Sequence, residues 1–258
     1  MTPISWQDAY YSDLQSLWAL LVVPFAFLAW RLAAPADPRR AVVPGAAGFV
    51  ARATLVFAVL TMLDPIATGP LVRSEALRET PAATLIPFLF VYLGDLRVLL
   101  VAFAVAAPER SFRATLARAA VATAIVPVGT GFLYAALRAT APGLHGQWLW
   151  MIYEAGFLAL CVVAARRGLP RSASTSAVSG AEETPAASDS EGRAFLEALF
   201  GYAAAYYALW LGADVLIVVF GLDLGWVLRM VPNQLYYAFW APFVAFRFFS
   251  RPSSNAAR

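Results

Sequence analysis

The chain has 258 residues, 61% of them apolar and only 14% charged, with a mean hydropathy of +0.67; a soluble domain carries about 45–50% apolar and about 25% charged residues. That balance excludes an ordinary soluble domain and points to apolar segments of roughly 20 residues, the length that crosses a bilayer. Lysine is absent, which excludes a retinal Schiff base, and the net charge of +3 comes from arginines spread over several loops rather than one stripe, which argues against nucleic acid as a partner.

In chain order, the apolar runs predict seven membrane-crossing helices, over about 14–34, 46–66, 85–106, 116–137, 147–165, 195–221 and 225–248. The expected fold class is an all-α integral membrane protein, one seven-transmembrane-helix bundle over residues 1–258. The first run follows Asp8 and Asp13 and precedes Arg31, Arg39 and Arg40, the pattern of an anchor inserted N-terminus outward rather than of a cleaved leader.

Basic loops stay cytoplasmic. Arg31, Arg39, Arg40 and Arg52 follow or flank the loop after span 1, Arg110, Arg113 and Arg118 the loop after span 3, and Arg166, Arg167, Arg171 and Arg193 the loop after span 5. Arg247, Arg251 and Arg258 lie in the tail, whereas only Arg73, Arg78, Arg138 and Arg229 fall at the other ends and Arg97 inside span 3. The N-terminus is therefore expected outside and the C-terminus in the cytoplasm. Trp6, Tyr10, Tyr11, Trp18, Trp148, Trp150 and Trp226 at outer ends, with Trp30, Phe248 and Phe249 at inner ones, form the matching aromatic belts. Residues 168–193, rich in Ser, Ala, Thr and Glu without apolar periodicity, read as a disordered cytoplasmic linker.

Ionisable groups at membrane depth cost several kcal/mol unless paired or hydrated, so each is a candidate for function. Six qualify: Asp64 in span 2, Asp95 and Arg97 in span 3, Glu154 in span 5, Asp214 in span 6 and Arg229 in span 7. Counting at 1.5 Å per residue puts Glu154 and Asp214 roughly 10 Å, and Asp95 roughly 15 Å, below the outer edge, a depth at which they could line one outward-facing cavity. The carboxylates outnumber the arginines, so some must be protonated, hydrated or matched by a cation. Asp95 and Arg97 are about 200° apart around a helix and need separate partners; an acidic residue of span 5 or 6 is the expected partner of Arg97.

Tyr207, Trp210 and Asp214 share one face of span 6, and Arg229, Asn233, Tyr237 and Trp240 one face of span 7. Gln234 stands beside that second stripe. Pro232 frees a backbone carbonyl one turn earlier, and Pro24, Pro87, Pro127 and Pro242 interrupt other spans. The words Gly94-Asp95 and Gly212-Ala213-Asp214, each followed one span later by Val-Pro, allow a 3+3 inverted repeat after the first helix, which would bring Asp95 and Asp214 together.

A small-solute or ion transporter coupled through intramembrane carboxylates is the leading expectation, with Asp95 and Asp214 holding and releasing a proton as a small polar or cationic solute exchanges. The binding set is Asp64, Asp95, Arg97, Glu154, Trp210, Asp214, Arg229, Asn233 and Gln234. A membrane-embedded lipid hydrolase or transferase, with the aspartates as acid and base and Arg229, Asn233 or Gln234 on a head group, is the alternative. A third reading is a non-catalytic subunit whose charges pair with another membrane protein, or a homo-oligomer. One cysteine, Cys161, and one histidine, His145, exclude disulfides and multi-His or multi-Cys metal sites, so neither cofactor nor metal is expected. His145 reads as a solvated loop residue, Cys161 as a small hydrophobe, and Thr130 as a helix-packing residue. The alanine-rich, lysine-free composition suggests a bacterial plasma membrane.

Overall fold

The computed structural model describes residues 5–168 and 185–250, and every regular element among them is helical. A short α1 (Trp6–Tyr11) precedes α2 (Ala19–Ala33), α3 (Ala47–Ile66), α4 (Ala82–Ala106), α5 (Phe112–Thr140), α6 (Gln147–Arg167), α7 (Pro185–Val218), α8 (Leu224–Asn233) and α9 (Trp240–Phe248). Six stretches, Leu14–Ala33, Pro44–Leu71, Ala82–Ala106, Phe112–Thr140, Gln147–Arg167 and Ser190–Val218, are long and apolar enough to cross a membrane, as a multi-pass membrane protein requires.

The seventh expected span differs. Residues 224–248 run through α8, a π-helical segment Gln234–Phe239 and α9 without a break, but Arg229, Pro232, Asn233 and Gln234 dilute its apolar character and it falls outside the six. The linker expected over 168–193 lies largely on residues 169–184, outside the described residues; its last part, from Pro185, is the start of α7.

Local chemistry sets the helix ends. Ser5 and Asp8 close a reciprocal capping box at the start of α1, and the Ser111 hydroxyl accepts the Ala114 amide at the start of α5. The α7–α8 turn depends on glycine twice: Gly221 has φ +64°, and a Cβ on Gly225 would meet the Ala213 carbonyl oxygen of α7 at 2.6 Å. α7 and α8 can therefore pack as a close hairpin.

α4 is the central helix, buried on all sides from Asp95 to Ala102. Around it the core is built from Val50 and Phe57 of α3, Phe195, Phe200 and Tyr206 of α7, and Trp240, Val244 and Phe248 of α9. α5 is peripheral, with Val121, Ile125 and Phe132 turned outward, Phe132 being 77% exposed. A helix with an apolar outer face of this kind suits contact with lipid rather than water.

Among the described residues three π-helical segments interrupt the bundle, at Leu14–Trp18, Ala67–Leu71 and Gln234–Phe239. Prolines accompany two of them: Pro65 and Pro70 at the second, Pro232 just before the third. A proline removes an amide donor from the ladder and so favours a local change of helical register. All three segments contribute residues to the same cavity.

Candidate functional site

A cavity of about 450 Å³ is lined by the end of α3, the first halves of α4 and α6, the second half of α8 and two tyrosines of α1. Its lining includes the exposed residues Tyr11 and Arg73 and reaches down to Asp95, which is 2% exposed. At the rim, Arg73 is neutralised by Asp13 at 3.0 Å. Four different helices contribute the charged side chains below: Asp64 from α3, Asp95 from α4, Glu154 from α6 and Arg229 from α8.

Arg229 is the upper knot. Its Nη1 donates to Asp214 of α7 and lies 3.4 Å from Glu154 Oε1, while its Nε reaches the Tyr10 hydroxyl of α1 at 3.5 Å. Gln147, at the first turn of α6, donates its Nε2 to the second oxygen of Asp214 at 2.8 Å. His145 positions that turn by accepting the Gln147 amide on Nδ1 at 3.1 Å, a cap as well as the exposed loop residue expected. Asp214 is thus fully committed. Glu154 is not: it is 3% exposed and its Oε2 has no hydrogen-bond partner.

Asn233, one turn along from Arg229, ties three elements together. Its amide nitrogen donates to the Tyr10 hydroxyl at 3.2 Å and its oxygen accepts the Trp210 indole N–H at 2.9 Å. Trp210 and Asn233 both line the cavity, as does Tyr237 from the same stripe.

Asp95 is the lower knot. The Tyr153 hydroxyl of α6 and the Tyr207 hydroxyl of α7 donate to its two oxygens, and the Tyr236 hydroxyl from the third π segment lies 3.4 Å away. The Tyr153 and Tyr207 hydroxyls supply the donors a carboxylate needs when removed from water, and the Tyr236 hydroxyl, also 3.3 Å from the Val91 carbonyl, stands beside them. Gly94 makes this possible, because a Cβ there would fall 1.7 Å from the Tyr236 hydroxyl.

No family model, curated protein or solved structure matches this chain. Its site therefore has to be read from its own geometry.

Of the residues singled out in the sequence, Asp64, Asp95, Glu154, Trp210, Arg229 and Asn233 converge on the cavity, whereas Asp214, Arg97 and Gln234 are not among its lining residues. Two expectations are corrected. Asp95 and Asp214 do not form a pair: Asp95 is held by Tyr207, and Asp214 lies two turns further along α7, roughly 10 Å away along the axis, bound to Arg229 and Gln147. Arg97 does not pair with an acid of span 5 or 6. It donates to the Tyr236 carbonyl and lies over the rings of Tyr236 at 4.2 Å and Trp240 at 4.8 Å, because its side of α4 faces the third π segment and α9. Gln234, the first residue of that π segment, does not line the cavity.

The two words of the expected repeat also sit in different surroundings. Gly94 is filled by the Tyr236 hydroxyl, whereas a Cβ on Gly212 would meet nothing within 4 Å.

Asp64 closes the set, lining the cavity together with Tyr237; the Thr68 hydroxyl donates to its backbone carbonyl at 2.8 Å and lies 3.3 Å from its carboxylate. Sequence reasoning missed Tyr10, Gln147, Tyr153 and Tyr236. Tyr10 reads as an interfacial anchor, but Gln147, Trp150 and Glu154 recur at helical spacing along α6 and form a stripe that could have been found.

Proposed function

We propose that this protein is a seven-helix membrane transporter for a small solute, coupled through its intramembrane carboxylates. In this reading residues 224–248 make the seventh crossing, the α1 end faces the exterior and the arginine-rich loops face the cytoplasm of a bacterial cell. The observation that carries it is the cavity itself: reached from one end of the bundle, closed below by the Tyr153–Asp95–Tyr207 knot, and lined by carboxylates from three helices. A volume of about 450 Å³ lies within the 300–1,000 Å³ range usual for small-molecule sites.

Asp95 is the coupling residue in this reading. It stands at the junction of α4, α6, α7 and the third π segment, so loss or gain of a proton there changes the hydrogen bonds that hold four elements together. The π segments and their prolines supply points at which helix halves can shift. Lipid hydrolysis or transfer is less well supported, since Arg229 and Asn233 are already bonded within the protein and Gln234 is not among the lining residues. Arg229 and Asp214 are paired with each other within this chain, which favours a self-contained site over one completed by a second membrane protein.

The test is flux in proteoliposomes enclosing a pH-sensitive dye, challenged with panels of amines, amino acids, sugars and organic acids. One class should drive proton movement in the wild type, and Asp95→Asn should abolish it while solute exchange persists. Proton movement unchanged in Asp95→Asn, or no transported solute in any panel, would overturn the reading.

A further inference from the structure

We infer that the cavity binds a small organic ammonium ion. The inference builds on the transport reading by naming the solute class, but concerns binding and can be tested without flux.

Charge is the first argument. Within and directly behind the cavity stand four carboxylates, Asp64, Asp95, Glu154 and Asp214, against two guanidiniums, Arg97 and Arg229. Arg73 at the rim is cancelled by Asp13. Arg229 is taken up by Asp214 and Glu154 Oε1, and Arg97 by a carbonyl and two rings. Arg97 does not line the cavity, and the two carboxylates against Arg229 disfavour an anion beside it. Four carboxylates against two guanidiniums leave the site to be neutralised by protons or by a bound cation, and an entering cation can take the place of the protons.

Glu154 says where that cation sits. It is 97% shielded from solvent, it lines the cavity, and its Oε2 is without a hydrogen-bond partner, whereas both oxygens of Asp95 and of Asp214 are occupied. A buried carboxylate oxygen left in this state costs free energy that an N–H donor or a positive charge would offset.

The lining decides between an inorganic and an organic cation. Tyr10, Tyr11, Trp150, Tyr153 and Trp210 line the same cavity as Glu154, and its lining is predominantly apolar and aromatic. Hard metal ions need several oxygen ligands at short range. No group of three or more acidic, His or Cys side chains among the described residues is arranged to hold one. Aromatic faces combined with one carboxylate suit a soft, diffuse charge such as an alkylammonium, through cation–π attraction.

The experiment uses the full chain in nanodiscs and three probes of nearly equal shape: benzylammonium, benzyl alcohol and benzoate, with tetramethylammonium as a fourth. Equilibrium binding should be seen for both ammonium ions and be at least tenfold weaker for the alcohol and benzoate. Glu154→Gln should weaken benzylammonium at least tenfold with benzyl alcohol unchanged. Trp150→Leu, which leaves the Arg229 knot intact, should weaken tetramethylammonium several-fold and so covers the case in which Glu154→Gln does not fold. Equal binding of alcohol and ammonium, preference for benzoate, or ammonium affinity indifferent to both substitutions overturns the inference. Ammonium binding without flux leaves the site standing and removes transport, whereas flux of a neutral or anionic solute without ammonium binding does the reverse.

Discussion

Arg97 and Arg229 are both buried within apolar helices, at 1% and 8% exposure, yet they are neutralised in different ways. Arg229 meets two carboxylates and a tyrosine hydroxyl at the cavity wall, whereas Arg97, deeper and on the opposite side of α4 from Asp95, meets a backbone carbonyl and the faces of Tyr236 and Trp240. The difference shows that one cation is balanced by opposite charge and the other by a carbonyl dipole and aromatic faces. Arg229 therefore depends on two acids from neighbouring helices, whereas Arg97 depends on the packing of the third π segment and α9 around it.

The comparison breaks most severely at Arg229. Arg229→Met leaves Asp214 and Glu154 buried without their cation and should cost about 3–5 kcal/mol, seen as a large fall in melting temperature in detergent. The double variant Arg229→Met with Asp214→Leu should recover most of that loss. If it does not, the knot is held by something other than charge.

Arg97→Met should cost less, about 2 kcal/mol, because no carboxylate is orphaned and the loss is mainly that of the two desolvated ring contacts. Arg97→Lys should not restore it, since a lysine ammonium is a compact charge without the planar guanidinium that stacks on the rings. A loss for Arg97→Met equal to that for Arg229→Met would erase the distinction drawn above.

Gly94→Ala drives a methyl group into the Tyr236 hydroxyl and should cost about 1–3 kcal/mol, with disturbance of the Asp95 knot. Gly212→Ala, in the matching word of α7, meets open space and should be neutral or stabilising by up to about 1 kcal/mol. Thermal unfolding of the two variants side by side measures how far the two words have separate duties. The smallest effect is expected from Tyr10→Phe, which removes one hydroxyl between α1, Arg229 and Asn233 and should cost about 0.5–1.5 kcal/mol.

Much of this was legible in the sequence, and the residues say why. The helices follow from apolar runs whose lengths a bilayer dictates, and Asp64, Asp95, Glu154 and Arg229 identify themselves because a charge within such a run demands a partner. Those partners were harder to read. The donors to Asp95 are tyrosines, which in sequence look like ordinary packing, and their convergence depends on the crossing of α4, α6 and α7. The carbonyl that holds Arg97 is exposed by the π segment after Pro232, and no side chain advertises it. α1 reads as an interfacial anchor because its Tyr10 and Tyr11 fit that role equally well; only the fold brings Tyr10 against Arg229.

Everything functional rests on a water-reachable chamber entered from the α1 end. With Cys161 replaced by alanine, single cysteines at Val91 in the chamber, Ala102 in the core, Glu75 in the loop after α3 and Arg110 in the loop after α4 can be challenged from either face of oriented vesicles with a membrane-impermeant thiol reagent. Val91→Cys should react from the same face as Glu75→Cys, with Ala102→Cys inert. Failure of Val91→Cys to react, or its reaction from the face that labels Arg110→Cys, would contradict the account.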